Sequence, residues 1–426
     1  MKILHVTHND ADAVGCAVLV ALRYRHDSIT THFCAIGTQD QIITDEIVKM
    51  NTHLDDLKTK GYSGEEATTC CYEKIIVSDL SILPETYHLI QEEITYLKDK
   101  YDFDLDFSGY DHHITNTIYE IADDFIVAAE RFDNVANKVI PISATRLMYD
   151  MYISYIDTMP DKSDQEKHEQ LDAELKHFCN SISRYDTWVW KRDLDTVEIQ
   201  NKDFLLTVSN ILKADTPIIF DDDFYTVLCK KYGPNDLYHM ILNNIASAAS
   251  YGTSSWIYPK EFAMVYNLEK EVETKITEKA VKEVKFLVDG EYIVGMYLPD
   301  GEFINTVTDA LYDKYPFVDY WIILRPAHKE IGFRSDKEDL NLGRLAKRVY
   351  GGGGHKQASG AKNIDSATFL HLLKIFYEQT LPADEVPTNT TEDMYKFINN
   401  KMRLKKLKET IKDVKDVKYD FGGNDE

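Results

Sequence analysis

Residues 2–15 read Lys2-Ile3-Leu4-His5-Val6-Thr7-His8-Asn9-Asp10-Ala11-Asp12-Ala13-Val14-Gly15, and the change of character after Thr7 decides the fold. The first six are a short, mostly apolar run that reads as a buried strand. Residues 13–25 carry apolar side chains at helical spacing. Between strand and helix stand His8, Asp10 and Asp12, three side chains able to ligate a metal. Alone, such a turn is also what an Asx-capped helix start looks like. In an open parallel sheet, however, ligands gather beyond the carboxyl ends of the strands, and this turn sits at one.

The same alternation continues downstream. The pattern predicts a strand at 31–36, a helix at 42–58, a polar insert at 60–71, a strand at 74–78, a helix at 84–99 and a strand near 103–110. Short apolar runs separated by helices predict an α/β fold, with a mostly parallel sheet covered by helices on both faces. Residues 143–156 and 164–184 read as helices. The span 201–285 reads as a helical connector. From 286 to 381 the character changes: strand 291–298, helix 303–314, a strand pair at 317–335, helix 340–349, a glycine run, then helix 366–380. This predicts a smaller C-terminal α/β domain. Residues 382–426 form a polar extension. The expected division is therefore 1–200, 201–285, 286–381 and 382–426, with a catalytic cleft between the two α/β lobes.

Three further clusters join the opening turn. Asp79 follows the strand at 74–78, where an aspartate is often only a helix cap. Asp111-His112-His113 follows the next strand. Asp186 ends a long helix in Arg184-Tyr185-Asp186-Thr187-Trp188. Carboxylates gathered on one sheet edge repel strongly unless cations neutralise them. The mixed His and Asp set suits Mn²⁺ or a similar ion better than a calcium site made only of oxygens. Two such ions about 3.5–4 Å apart activate a water for in-line attack on phosphorus. In the C-terminal domain, Gly351-Gly352-Gly353-Gly354-His355 lets backbone amides approach an anion closely, beside Lys347, Arg348 and Lys356.

The chain has 426 residues, 44% of them hydrophobic, and a net charge of −24. That is enough apolar material for more than one core. The acidic balance argues against long duplex nucleic acid, which needs many cationic phosphate contacts. It leaves room for a short strand held by a few local cations and by metals. No apolar run approaches the roughly 18 residues of a membrane span, and the first ten residues turn polar too soon for a signal peptide. The six cysteines make no C-x-x-C pair and read as reduced thiols of a cytoplasmic protein.

In order and type, His8-x-Asp10-x-Asp12, Asp79, Asp111-His112-His113 and Asp186 resemble the four motifs of the DHH phosphoesterase superfamily. Gly351 to His355 resembles the glycine-rich motif of the domain associated with it. Within the superfamily, the His-Asn-Asp opening, the Tyr-Asp-Thr-Trp phrase at 185–188 and the four glycines before His355 are most similar to the oligoribonuclease B type. The resemblance implies that His8, Asp10 and Asp79 hold one divalent ion. It implies that Asp12, Asp79, His112 and Asp186 hold a second, with Asp79 bridging. It further implies that His113 contacts the scissile phosphate and that Asp111 orients a neighbouring histidine. Gly352, Gly353, Gly354, His355 and Arg334 are implied to grip a substrate phosphate. The implied activity is hydrolysis of short RNA or DNA oligonucleotides from an end, and the sequence allows a homodimer. Rival expectations are a cyclic-dinucleotide phosphodiesterase, a phosphoadenosine-phosphate phosphatase, an inorganic pyrophosphatase and a nucleotide sensor with an inactive metal site.

Overall fold

The computed structural model describes residues 1–25, 27–62, 65–113, 118–133, 137–152, 165–187, 223–251, 256, 259–290, 292–299, 304–337, 339–354, 356–378 and 380–382. His355, and the tail from 383 onward, lie outside them. The chain divides into two compact units, Met1–Tyr266 and Asn267–Glu426.

The first unit is built on five parallel strands in the order β2-β1-β3-β4-β5. They are β1 (Lys2–Thr7), β2 (Ser28–Phe33), β3 (Lys74–Ser78), β4 (Asp106–Asp111) and β5 (Phe125–Val127). The helices are α1 (Ala11–Arg23), α2 (Gln39–Thr59), α3 (Glu65–Thr68), α4 (Pro84–Tyr101), α5 (Ala144–Tyr152) and α6 (Gln165–Asp186). Side chains alternate across the sheet as strand geometry requires. Leu4, Val6, Ile75 and Val77 pack with Ile43 and Ile47 of α2 and with Ile90 and Leu97 of α4. Ile3 and Ile76 face the other way, toward Val14 and Val18 of α1, Met148 of α5 and Phe178 of α6. Both faces are covered, which is why β1 and β3 read as nearly unbroken apolar runs.

The register fixes the height of everything beyond the strands. Thr7 pairs with Ser78, and Ser78 with Tyr110. His8, Asp79 and Asp111 therefore leave the sheet at one level. The strand order reverses direction between β1 and β3, the switch point where the loops part and leave a crevice.

Two differences from the sequence expectation have physical causes. β2 begins three residues earlier than the predicted 31–36. It is an edge strand, half exposed along its length, so its apolar signal is weak. The pattern also missed β5 and the antiparallel pair β6 (Glu130–Asp133) and β7 (Lys138–Pro141), which are too short to show a period.

α7 (Phe224–Tyr232), α8 (Pro234–Tyr251) and the start of α9 (Lys260–Glu283) pack on the α1 side of this sheet. They contribute Tyr225, Leu228, Leu237, Ile241 and Phe262 to the core there.

The second unit has a mixed seven-stranded sheet, ordered β12-β13-β11-β10-β9-β8-β14. Its strands are β8 (Lys285–Asp289), β9 (Tyr292–Tyr297), β10 (Tyr320–Arg325), β11 (Glu330–Arg334), β12 (Gly353–Gly354), β13 (Ala358–Ala361) and β14 (Leu381–Pro382). Only β9 and β10 run parallel. Three helices accompany it: α10 (Ile304–Lys314), α11 (Leu342–Tyr350) and α12 (Ser366–Glu378). Trp321 and Phe286, both fully buried, centre one side of its core, and Phe333 and Leu342 the other.

The glycine run has a local structural reason. Asn341 caps the start of α11, its side chain accepting the Arg344 amide. Gly351 ends the helix with φ +67°, a left-handed conformation cheap only for glycine. The next amide, of Gly352, donates to Ala346 O at 3.0 Å, which satisfies a carbonyl at the helix C-terminus. A Cβ on Gly352 would lie 2.1 Å from Gly360 O, so the chain there runs against backbone with no room for a side chain.

Candidate metal centre

The end of β1 supplies three candidate ligands because α1 starts immediately. Asp10 is the N-cap of α1: its Oδ1 accepts the Ala13 amide at 3.1 Å, and its Oδ2 lies 2.7 Å from His8 Nδ1. Burial pushes the Asp10 carboxyl up, but His8 and the Ala13 amide outweigh it and hold the group below its usual range. Asp12, in the first turn of α1, is buried. Its carboxylate accepts the amides of Ala144 (2.9 Å) and Thr145 (3.0 Å), the first of α5. Free amides at a helix start stabilise a carboxylate. The sequence reading assigned the metal role to Asp12 but missed these clamps, for which the only signal was a predicted helix beginning at 143. Gly15 makes room for them: a Cβ there would meet Thr145 Oγ1 at 2.2 Å.

Asp79, immediately after β3, has φ +55°, a left-handed conformation that Asp and Asn tolerate better than most residues. Its amide donates to Tyr110 O at 2.8 Å, and its side chain is only 2% exposed. It stands between both neighbours: Oδ2 is 3.8 Å from His8 Nδ1 and Oδ1 is 3.4 Å from His112 Nε2. His112 Nε2 is also 3.3 Å from Asp186 Oδ2, at the end of α6, and 3.9 Å from Asp12 Oδ2. The ligand atoms fall into three overlapping sets: His8, Asp10 and Asp79; Asp12, His112 and Asp186; and Asp79, Asp111, His112 and His113.

Burial, then repulsion from Asp10, Asp12, Asp186 and Asp111, pushes the Asp79 carboxyl well above its ordinary range. Burial and the charges of Asp12, Asp10 and Asp111 do the same to Asp186. Burial holds the His112 imidazole below its usual value despite the carboxylates around it. Asp79 Oδ2, His112 Nε2 and Asp186 Oδ2 are buried with no hydrogen-bond partner among the described residues. Like charges about 4 Å apart cost roughly 4 kcal/mol at an effective dielectric of 20. Crowded acids and orphaned ligand atoms together fit a divalent cation and suit little else.

Asp111 differs from the others. Its Oδ1 accepts the His112 amide (2.8 Å), the His113 amide (3.3 Å) and His113 Nδ1 (2.8 Å). Three donors on one oxygen make it a bracket for the two histidines. That hydrogen bond raises the pKa of His113, whose side chain is 44% exposed. With Nδ1 engaged, Nε2 is the nitrogen left to meet a ligand.

A buried polar line lies under the site, unforeseen in the sequence. His5 Nε2 is 2.9 Å from Ser78 Oγ; Ser78 Oγ donates to Thr7 Oγ1 at 2.9 Å, and Thr7 Oγ1 to Ser78 O at 3.0 Å. It braces the two strand ends that carry His8 and Asp79. No signal in the strand pattern marks it beyond a histidine inside an apolar run.

In the second unit, Arg334 ends β11. Its guanidinium donates to Asn305 Oδ1 (3.3 Å), Phe333 O (2.9 Å) and Ser359 O (3.4 Å). None of these acceptors is a carboxylate, and burial draws its pKa down. β13 lies between β11 and β12: Arg334 pairs with Ala358 on one side, and Gly354 with Ser359 on the other. Arg334 and the glycines thus flank the same end of β13. The Gly352 amide is engaged in the helix cap. Asn305 was not foreseen, and nothing in its sequence context points to it.

No family model matches the chain. It is 20% identical over 372 residues to oligoribonuclease NrnB of Bacillus subtilis strain 168, spanning 87% of this chain and 75% of that protein. Among solved structures, the pGpG-specific phosphodiesterase PggH of Vibrio cholerae is 15% identical with a TM-score of 0.41, covering 89% of this chain and 98% of that one. RecJ of Thermus thermophilus is 12% identical with a TM-score of 0.35, covering 91% of this chain and 50% of that one. Among the described residues, no helix is long and apolar enough to cross a membrane. The similarity to NrnB runs along most of the chain, and the ordered motifs that resemble those of the DHH phosphoesterase superfamily meet in one acid–imidazole cluster beyond β1, β3 and β4.

Proposed function

We propose that the protein is a metal-dependent phosphodiesterase that hydrolyses short oligonucleotides, dinucleotides included, from an end. The observation that carries this reading is the set of orphaned, buried ligand atoms on Asp79, His112 and Asp186. In this reading His8, Asp10 and Asp79 hold one divalent ion, and Asp12, Asp79, His112 and Asp186 hold the other, with Mn²⁺ preferred. Ions so held activate a water and neutralise charge on the phosphate. The chain's own groups do the rest. Asp111 fixes the ring of His113 and favours its protonated form, so that Nε2 donates to the phosphate and then to the departing oxygen. Arg334, a planar donor whose hydrogen-bond acceptors among the described residues include no carboxylate, takes a second phosphate. Gly353, Gly354 and His355 complete that grip, and the Gly352 amide stays in the helix cap. The protein acts in the cytoplasm and as a homodimer.

The test is a substrate panel under identical metal conditions: a linear dinucleotide, a cyclic dinucleotide, 3′-phosphoadenosine 5′-phosphate and pyrophosphate. The expected result is fastest turnover of the linear dinucleotide. Turnover of none of them with any divalent ion would leave a nucleotide sensor as the better reading. Faster turnover of one of the other three would reassign the substrate.

A further inference from the structure

α9 carries an apolar stripe that neither core uses. Met264, Leu268 and Val272 are 66%, 52% and 45% exposed. They are spaced four residues apart and so lie on one face of the helix. The core-facing residues of α9 are elsewhere around its axis. Phe262 and Tyr266 are buried in the first core and Ala280 in the second. Among the described residues the stripe is therefore a second face of α9 that neither core includes.

Its flanks indicate what covers it. Glu261 stands three residues before Met264, and Lys275 three residues after Val272. Both are exposed, and neither has an ion-pair partner among the described residues. The face thus reads Glu261, Met264, Leu268, Val272, Lys275, with spacings of three, four, four and three. The order is a palindrome in position and an antipalindrome in charge. Two such helices laid antiparallel about a twofold axis at Leu268 place Leu268 on Leu268, Met264 on Val272 and Glu261 on Lys275, with each of the last two pairs occurring twice. This is the self-complementarity an isologous interface requires. No other partner is implied by a stripe whose two ends carry opposite charges at equal distances from its centre.

We infer that this face of α9 pairs with the same face of a second copy of the chain, antiparallel and centred on Leu268. This gives the homodimer of the proposed function a location, and its test measures mass, so it stands or falls apart from any activity. One helix per copy buries less than the roughly 1,200 Å² of a standard interface, so the association is reversible and concentration-dependent. Opposite charges at the ends select the antiparallel register, and like charges there oppose it.

Sedimentation equilibrium on the full chain tests the pairing. The wild type should show reversible dimerisation, and Leu268→Glu should remain monomeric with an unchanged circular dichroism spectrum, the position being exposed. Glu261→Lys and Lys275→Glu should each weaken association about tenfold or more, because each sets like charges against one another at both ends. The double variant Glu261→Lys/Lys275→Glu should recover wild-type association. Four results would each overturn the inference: a monomeric wild type, a dimer that survives Leu268→Glu, single swaps without effect, or a double swap that fails to restore pairing.

Discussion

Thr145 donates its amide to Asp12 Oδ1 at 3.0 Å and its hydroxyl to Asp12 O at 2.6 Å, tying the start of α5 to the first turn of α1. The carboxylate of Asp12 is thereby aimed before any ion arrives. Thr145→Val keeps the amide bond and removes the hydroxyl bond. The expected result is a tenfold or so higher metal requirement, within the range typical of groups that orient ligands, with the maximal rate at saturating metal little changed. Activity measured against metal concentration checks this. An unchanged metal requirement would show that the hydroxyl does not position Asp12.

Activity should vanish on chelation and return with single divalent ions, Mn²⁺ best among them, because the ligand set mixes imidazole with carboxylate. Restoring one metal at a time to the chelated protein measures the order. Full turnover by the metal-free protein would remove the metals from the mechanism.

Asp79→Asn should nearly abolish hydrolysis, a loss on the order of several kcal/mol in transition-state stabilisation, and yet stabilise the metal-free fold. Asparagine tolerates the left-handed backbone at this position, so the variant isolates the charge. The Asp79 carboxyl is pushed up by burial and by its acidic neighbours, so the folded state holds its proton more tightly than the unfolded chain. Stability of the metal-free protein therefore falls as pH rises through and above the ordinary carboxyl range. The substitution removes that loss. Thermal unfolding with and without metal at neutral pH reads both effects. A metal-free variant no more stable than wild type would contradict the crowding argument. Retention of more than about a tenth of the rate, roughly 1.4 kcal/mol, would contradict the ligand role.

Arg334→Lys and His355→Ala should separate gripping from cutting. Both positions lie in the second unit and every candidate metal ligand lies in the first. In the proposed function their contribution is remote binding energy, separate from the metal ligands. The value of kcat/KM for a dinucleotide should fall about tenfold or more relative to a small artificial phosphodiester that reaches only the metals. An equal fall on both substrates would place these residues in the chemistry itself.

His5 should stay neutral through the physiological range. It is fully buried beside Ser78, and burial lowers its pKa to about 3. The unfolded chain takes up a proton near pH 6.5 and the folded chain does not. The stability that follows from a neutral His5 is complete above that pH and is lost progressively as pH falls toward 3. NMR titration of the imidazole signals should show no transition for His5 between pH 8 and pH 5, where exposed histidines titrate. A His5 midpoint near 6.5 would mean that the strand ends open to solvent.

The sequence by itself determined the α/β class and the sheet edge that carries the candidate ligands. β1 and β3 are short apolar runs because both faces of a parallel strand are buried, and that pattern is local and readable. His8, Asp10, Asp12, Asp79 and Asp111 were legible for the same reason, since each closes a strand that the pattern marks or lies between its end and the first turn of the next helix. Tertiary structure alone decided what those residues do to one another. Asp186 comes from the end of a helix far along the chain, and only packing of α6 against α1 brings it to 3.3 Å from His112. The clamp of α5 on Asp12, the bracket of Asp111 under His113 and the polar line from His5 to Ser78 depend on strand register and helix approach, which leave no periodic trace. The glycine run shows both halves of the division. Its composition announced a place where backbone comes close to something. The fold then showed that for Gly352 this is the end of α11 and the backbone of Gly360. Burial patterns repeat over a few residues and can be read along the chain, whereas ligand geometry is set by contacts between segments that the chain order does not place together.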